Sequence, residues 1–188
     1  MKIFVMGSSL RRESFNRRLA AIAASIAGGK GADVDLGDFG SFAMPVYNGD
    51  DEAAGGMPEG AKSLSARIKA ADGLIFSAPE HNNSVSGPFK NALDWLSREK
   101  PYPTTGKPVL LIGASSGKGA ALLGLAATRV PFNYLRAHVF PTVFGLANSA
   151  SAFADDGKRL KDAEQQKQIE ALVADFLAFV GRFASAKP

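Results

Sequence analysis

Short apolar runs alternate five times with stretches of helical periodicity, and this alternation constrains the chain more than any other feature. Lys2–Met6, Val34–Leu36, Gly73–Ala78, Lys107–Ala114 and Ala137–Val143 read as strands. Lys107–Ala114 is the most clearly buried on both faces. Between and after them come helices expected at Phe15–Ala27, Glu59–Ala71, Ser86–Arg98, Gly119–Leu135 and Lys161–Phe183. The last has Ile169, Leu172, Val173, Phe176, Leu177, Val180 and Phe183 on one stripe, the strongest helical signal present. Gly28-Gly29 stops the first helix, Pro88 is tolerated in a first turn, and Pro131 is expected to kink or split its helix. Phe39 to Pro58 reads as loop. Strand–helix alternation of this kind builds a parallel, three-layer α/β domain, here one domain over residues 1–188 with no repeat or linker.

Composition removes whole classes of function. With 46% hydrophobic residues and 21% charged, the chain can bury a core and is not a disordered tail. It has no cysteine, which excludes a disulfide scaffold, a cysteine zinc site, a thiol nucleophile and an iron–sulfur cluster. His81, His138 and the acidic run Asp50-Asp51-Glu52 offer no metal-ligand spacing. The longest apolar stretches fall well short of the roughly 18 residues that span a bilayer. The apolar run at the N-terminus is too short for a signal peptide. A soluble, cytoplasmic protein is expected, with no membrane partner. The net charge of +4 comes from scattered residues, apart from Arg11-Arg12 and Arg17-Arg18 in one loop-to-helix segment. That pattern favours a small phosphorylated ligand over nucleic acid.

Ligands of open parallel sheets sit beyond the carboxyl ends of the strands. Three loops there have unusual composition. Gly7 to Asn16 joins a strand to a helix N-terminus and carries Ser9, Arg11, Ser14 and Asn16, the donors a phosphate needs. Neither a dinucleotide glycine fingerprint nor a P-loop is present. Pro79 to Pro88 contains Glu80, His81, Asn82 and Asn83, whose hydrogen-bonding groups suit the edge of a planar heterocycle. His81 admits a catalytic reading. A ring that walls a flat ligand is the simpler one, because only Glu80 lies nearby as a partner, and Glu80 reads equally as a solvated loop acid. Gly113-Ala114-Ser115-Ser116-Gly117 matches the Gly-x-Ser-x-Gly nucleophile elbow. No acid stands between Ser116 and His138, so the chain order of that triad is impossible. A turn that offers N–H donors to a ligand is expected instead, and His138 is expected to be structural or interfacial.

The two motifs Ser9-Leu10-Arg11-x-x-Ser14-Phe15-Asn16 and Pro79-Glu80-His81-Asn82-x-Ser84-x-x-Gly87-x-x-Lys90-Asn91-Ala92-Leu93-Asp94-Trp95 resemble those of the NADPH-dependent FMN reductases. The resemblance implies a flavodoxin-like sandwich whose five-stranded parallel sheet has the order 2-1-3-4-5, with helices on both faces. It implies FMN as cofactor and NADPH or NADH as co-substrate. The phosphate would lie at Ser9, Arg11, Ser14, Phe15 and Asn16, the ring at Pro79, Glu80, His81 and Asn82, and further contacts at Ser115, Ser116 and Gly117. By its position alone, next to Gly117, Lys118 is expected to add positive charge nearby. The implied activity passes hydride from NAD(P)H through flavin N5 to quinones or similar acceptors, among them azo dyes, chromate or free FMN. No side chain is then required as acid or base. A homodimer or homotetramer is implied, with part of the third and fourth helices as interface. His81 departs from the tyrosine usual in the family, and Ser86 from a proline. A flavodoxin-type electron carrier, or a phosphate-ligand module without redox chemistry, would share much of this pattern.

Overall fold

A computed structural model describes residues 1–184 of the chain, so the last four residues of the expected domain lie outside the described part. Its strands are β1 (Lys2–Gly7), β2 (Asp33–Asp38), β3 (Gly73–Ser77), β4 (Glu80–His81), β5 (Ser84–Val85), β6 (Pro108–Ala114), β7 (His138–Val139) and β8 (Phe144–Leu146). Its helices are α1 (Phe15–Gly29), α2 (Gly49–Gly55), α3 (Glu59–Ala70), α4 (Gly87–Leu96), α5 (Leu122–Tyr134), α6 (Ser149–Ala152) and α7 (Ala163–Ala184). The main sheet is parallel throughout, in the order β2-β1-β3-β6, with β7 and β8 both on the free edge of β6.

Period-two alternation divides the core into two layers. Ile3 and Val5 of β1 join Leu19, Ile22, Ile75, Leu110, Ile112, Val173 and Phe176 beneath α1 and α7. Phe4 and Met6 face the opposite way, toward Leu64, Ile68, Phe76, Phe89, Leu111 and Phe132 beneath α3, α4 and α5. In that second layer Phe76 stacks on Phe132 at 5.3 Å and leans on Phe89 at 5.5 Å. The close fit continues to the end of β1. A Cβ on Gly7 would lie 2.6 Å from the Arg17 Cα, so only glycine lets the strand end against the start of α1.

Four expectations change. The fifth strand is not continuous: β7 pairs with Pro108 and Val109, β8 with Ile112 to Ala114, and two extra residues are looped out between them. Pro141 lies in that bulge and has no N–H for a ladder bond. The stranded carbonyls of Phe140 and Pro141 accept bonds from Arg129 Nη2 on α5, at 2.6 and 2.5 Å. Residues 39–58 are not wholly loop; they contain a 3₁₀ turn at Phe39–Ser41 and α2, which Asn48 caps through the Asp50 N–H. The fourth expected helix, at 119–135, starts later, at Leu122, because Ala120 and Ala121 both adopt left-handed backbone at φ 53° and 59°. Pro131 does not split α5, since it falls in the last turn.

Candidate functional site

The C-terminal ends of β3 and β6 are stapled together by one buried side chain. Asn16 Nδ2 donates to the Ala114 carbonyl at 2.9 Å, and its Oδ1 accepts from the Ala114 N–H and the Ser77 hydroxyl, both at 2.9 Å. The Ser8 N–H adds a bond to the Ser77 carbonyl at 2.9 Å. Asn16 was expected to donate to a phosphate. It lies at the cleft, but its carboxamide is engaged in holding β3 and β6 in register.

The loop after β1 leaves its donors available. Ser14 caps α1, accepting from the Asn16 and Arg17 N–H groups at 3.2 and 3.4 Å. The Arg11 N–H donates to Ser9 Oγ at 3.4 Å. The Arg11 guanidinium is exposed and has no anionic partner among the described residues. Its neighbours differ: Arg17 pairs with Asp38 at 3.0 Å, and Arg18 stacks on the Phe153 ring at 4.2 Å. Ser8 Oγ is fully buried at the head of the loop with no hydrogen-bond partner among the described residues. Buried hydroxyls are normally satisfied.

The loop after β3 folds into the hairpin β4–β5. Glu80 pairs with Val85 and His81 with Ser84, and the two-residue turn is Asn82-Asn83 at φ 51° and 58°. This is the backbone of a type I′ turn, which asparagine tolerates better than other side chains. The signal for it was present in the sequence as Asn-Asn between two extended pairs. His81 is exposed.

The loop after β6 is tied to the segment that follows β8. The Ser115 N–H donates to the Leu146 carbonyl at 2.9 Å, and the Ser115 carbonyl accepts from the Ser149 hydroxyl at 2.7 Å. Ser115 Oγ accepts from the Gly117 N–H at 3.2 Å. The elbow reading therefore fails on geometry as well as chain order. His138 pairs with Pro108, at the other end of β6 from Ser115, and its ring rests on Phe183 at 4.7 Å. Six residues of strand separate the two, roughly 20 Å.

These three loops meet in an open cleft of about 200 Å³ lined by Ser9, Arg11, Ser14, Phe15, Asn16, Pro79, Glu80, His81, Ala114, Ser115 and Ser116. Ten of the twelve sequence-derived candidates are thereby brought together. Asn82 stays in the hairpin turn and Gly117 in its serine turn, outside the lining. Ala114, Ser77 and Ser149 were not singled out in the sequence, because their contribution is a backbone or buried contact with no composition signal.

An open parallel sheet in this order, with an anion-receptive loop after its first strand and a cleft where strand order reverses, defines a flavodoxin-like α/β protein. The chain belongs to the NADPH-dependent FMN reductase family, whose model matches residues 1–151. It is 32% identical over 177 residues to an NAD(P)H-dependent FMN reductase of Pseudomonas aeruginosa, an alignment covering 92% of this chain and 93% of that one. It is 33% identical over 183 residues to a quinone reductase of Pseudomonas putida, covering 95% and 94%. Among solved structures it is similar to FerB, a flavoenzyme NAD(P)H:(acceptor) oxidoreductase of Paracoccus denitrificans. The TM-score is 0.81 at 28% identity, over 97% of this chain and 98% of that one. No helix among the described residues is long and apolar enough to cross a membrane.

Proposed function

We propose that the cleft holds FMN and that the protein moves reducing equivalents from NADH or NADPH to quinones or related small acceptors. The observation that carries the reading is the meeting of the three loops around Arg11, a guanidinium with no internal counter-charge. The residues present fit the group. Arg11, with the hydroxyls of Ser9 and Ser14, holds the phosphate at the start of α1, and the orphaned Ser8 hydroxyl gains a partner in the same loop. Pro79 and His81 on one side and Ser115 and Ser116 on the other flank the ring. Asn16 holds the loops at a fixed spacing rather than touching phosphate. The flavin, when bound, supplies the hydride chemistry, and the protein binds, orients and shields it. His81 walls the acceptor side. The related proteins named as FMN and quinone reductases support nicotinamide turnover over the electron-carrier reading.

The test is NAD(P)H oxidation by FMN-loaded protein against a panel of quinones, azo dyes and free FMN. Tight FMN binding with no consumption of NADH or NADPH would leave an electron carrier. For His81, replacement by tyrosine keeps a ring in place and is expected to hold kcat within about tenfold, with acceptor preference shifted. A loss of a proton donor would cost about 10²–10⁴-fold.

We further propose a homodimer or homotetramer in the cytoplasm. The outer face of α5 exposes Leu122, Leu123, Val130 and Tyr134, at 50, 58, 69 and 70%. Beside it Leu93 of α4, Val130 and Pro131 of α5 and Leu135 just after that helix line an apolar groove. Contiguous apolar surface of this kind marks association sites. Val130→Glu is expected to shift the sedimentation of the protein to a smaller species.

A further inference from the structure

The first turn of α5 lacks a cap of its own. The residue at its N-cap is Ala121, in left-handed backbone, with no side chain able to accept a hydrogen bond. Helix N-termini normally recruit a serine, threonine, aspartate or asparagine there. Here the acceptor comes from a segment forty-four residues earlier: Glu80 Oε2 takes the Gly124 N–H at 2.7 Å. A carboxylate at this position also meets the positive end of the helix dipole. The approach is close. A Cβ on Gly124 would stand 2.8 Å from the Glu80 Cβ and 3.0 Å from its Cα, so the hairpin reaches the helix only because residue 124 is glycine.

Resting on the flavin reading above, we infer that Glu80 is a positioning residue. It clamps the β4–β5 hairpin to α5 and so sets where Pro79 and His81 stand against the ring. Glu80 caps in trans the helix that the Ser115–Ala121 segment leads into. One carboxylate therefore ties the loop after β3 to the loop after β6, the two segments that flank the ring. His81 is the next residue along β4, so any displacement of Glu80 is carried directly to it.

The clamp acts on the ring end of the ligand and not on its phosphate, which sets its test apart from that of Arg11. The affinities of wild type, Glu80→Ala, Glu80→Gln and Gly124→Ala for FMN and for riboflavin are measured by flavin fluorescence, with the absorption spectrum of the bound flavin and the far-UV circular dichroism recorded alongside. Gly124→Ala and Glu80→Ala are expected to weaken both flavins by the same factor, about tenfold, and to shift the flavin spectrum while the dichroism stays native. Glu80→Gln keeps an acceptor for the Gly124 N–H and is expected to stay within about threefold of wild type. Should Glu80→Ala not fold, Glu80→Asp, one methylene short of the amide, takes its place with the same expectation. Wild-type riboflavin affinity and spectrum in a folded Gly124→Ala protein overturn the clamp. So does a Glu80→Gln protein as impaired as the alanine variant, since that would place the charge on the ligand itself. If wild type binds neither flavin, the cofactor reading falls and the clamp's role with it. Normal binding by every variant removes the clamp alone.

Discussion

Two neighbouring strands send loops off the same edge of the sheet, and the two loops are built in opposite ways. After β1, residues 8–14 leave the Arg11 guanidinium without an internal counter-charge and the Ser8 hydroxyl without a partner among the described residues. After β2, the strap around Pro45–Glu52 ties Pro45, Tyr47 and Glu52 back to the body of the protein. The Pro45 carbonyl accepts from Trp95 Nε1 at 2.8 Å and from Asn91 Nδ2 at 2.9 Å, and Asn91 Oδ1 takes the Tyr47 N–H at 2.8 Å. Glu52 accepts from the Tyr47 hydroxyl and from Arg98 Nε, both at 2.9 Å. The Tyr47 ring meets Trp95 edge-on at 5.1 Å, with the Arg98 guanidinium 5.4 Å from its centre. The bond from Arg98 holds the Glu52 carboxyl below its usual range, and donation to Glu52 pushes the Tyr47 hydroxyl above its own. A loop that holds the fold saturates its polar groups from within. A loop that binds keeps them free for a ligand. The contrast separates stability from binding, and each half can be attacked alone.

The largest effect is expected in the strap. Trp95 is fully buried, and Trp95→Ala should destabilise the fold by about 3–5 kcal/mol in urea unfolding. The protein that remains folded should bind FMN close to normally, and a large loss of FMN affinity there would erase the contrast. Next comes Arg11→Ala, expected to weaken FMN by about 10- to 150-fold with the melting temperature unchanged. Riboflavin, which has no phosphate, should hardly register the change. FMN affinity equal to wild type in a fluorescence titration would take Arg11 out of the site.

A smaller effect concerns acid. Arg67 makes a two-pronged pair with Asp35 of β2 and lies over the Phe4 ring at 4.9 Å. The hydrogen bond from Arg67 depresses the Asp35 carboxyl below its ordinary value of 3.8. The pair therefore stabilises the fold fully above that ordinary value, and the contribution is lost as pH falls through the depressed one. Asp35→Asn should be less stable than wild type at pH 6 by roughly 1 kcal/mol, with the gap closing as the pH is lowered below about 4. A gap that stays constant down to pH 2 would assign the cost to shape rather than charge. The smallest expected effect is none: neither Ser115 nor Ser116 should be labelled by an organophosphonate, because His138 lies at the far end of β6. Stoichiometric labelling of either serine would restore the elbow.

What the chain's sequence decides by itself is local. Apolar periodicities of two and of 3.6 distinguish strands from helices within a few residues, so β1, β3, β6 and α7 were legible in it. A helix-start cluster such as Ser9, Arg11 and Ser14 is equally local, because its residues come together as soon as the turn forms. Tertiary structure decided the rest. Asn16 reads as a phosphate donor until Ala114, ninety-eight residues away, takes up its carboxamide. Glu80 reads as a solvated acid until α5 presents an uncapped N–H beside it. The fifth strand reads as continuous until its pairing with β6 exposes the two looped-out residues at Pro141. In each case the side chain's role depends on which distant backbone group is left unsatisfied. That follows from the packing of the sheet and has no signature in neighbouring residues.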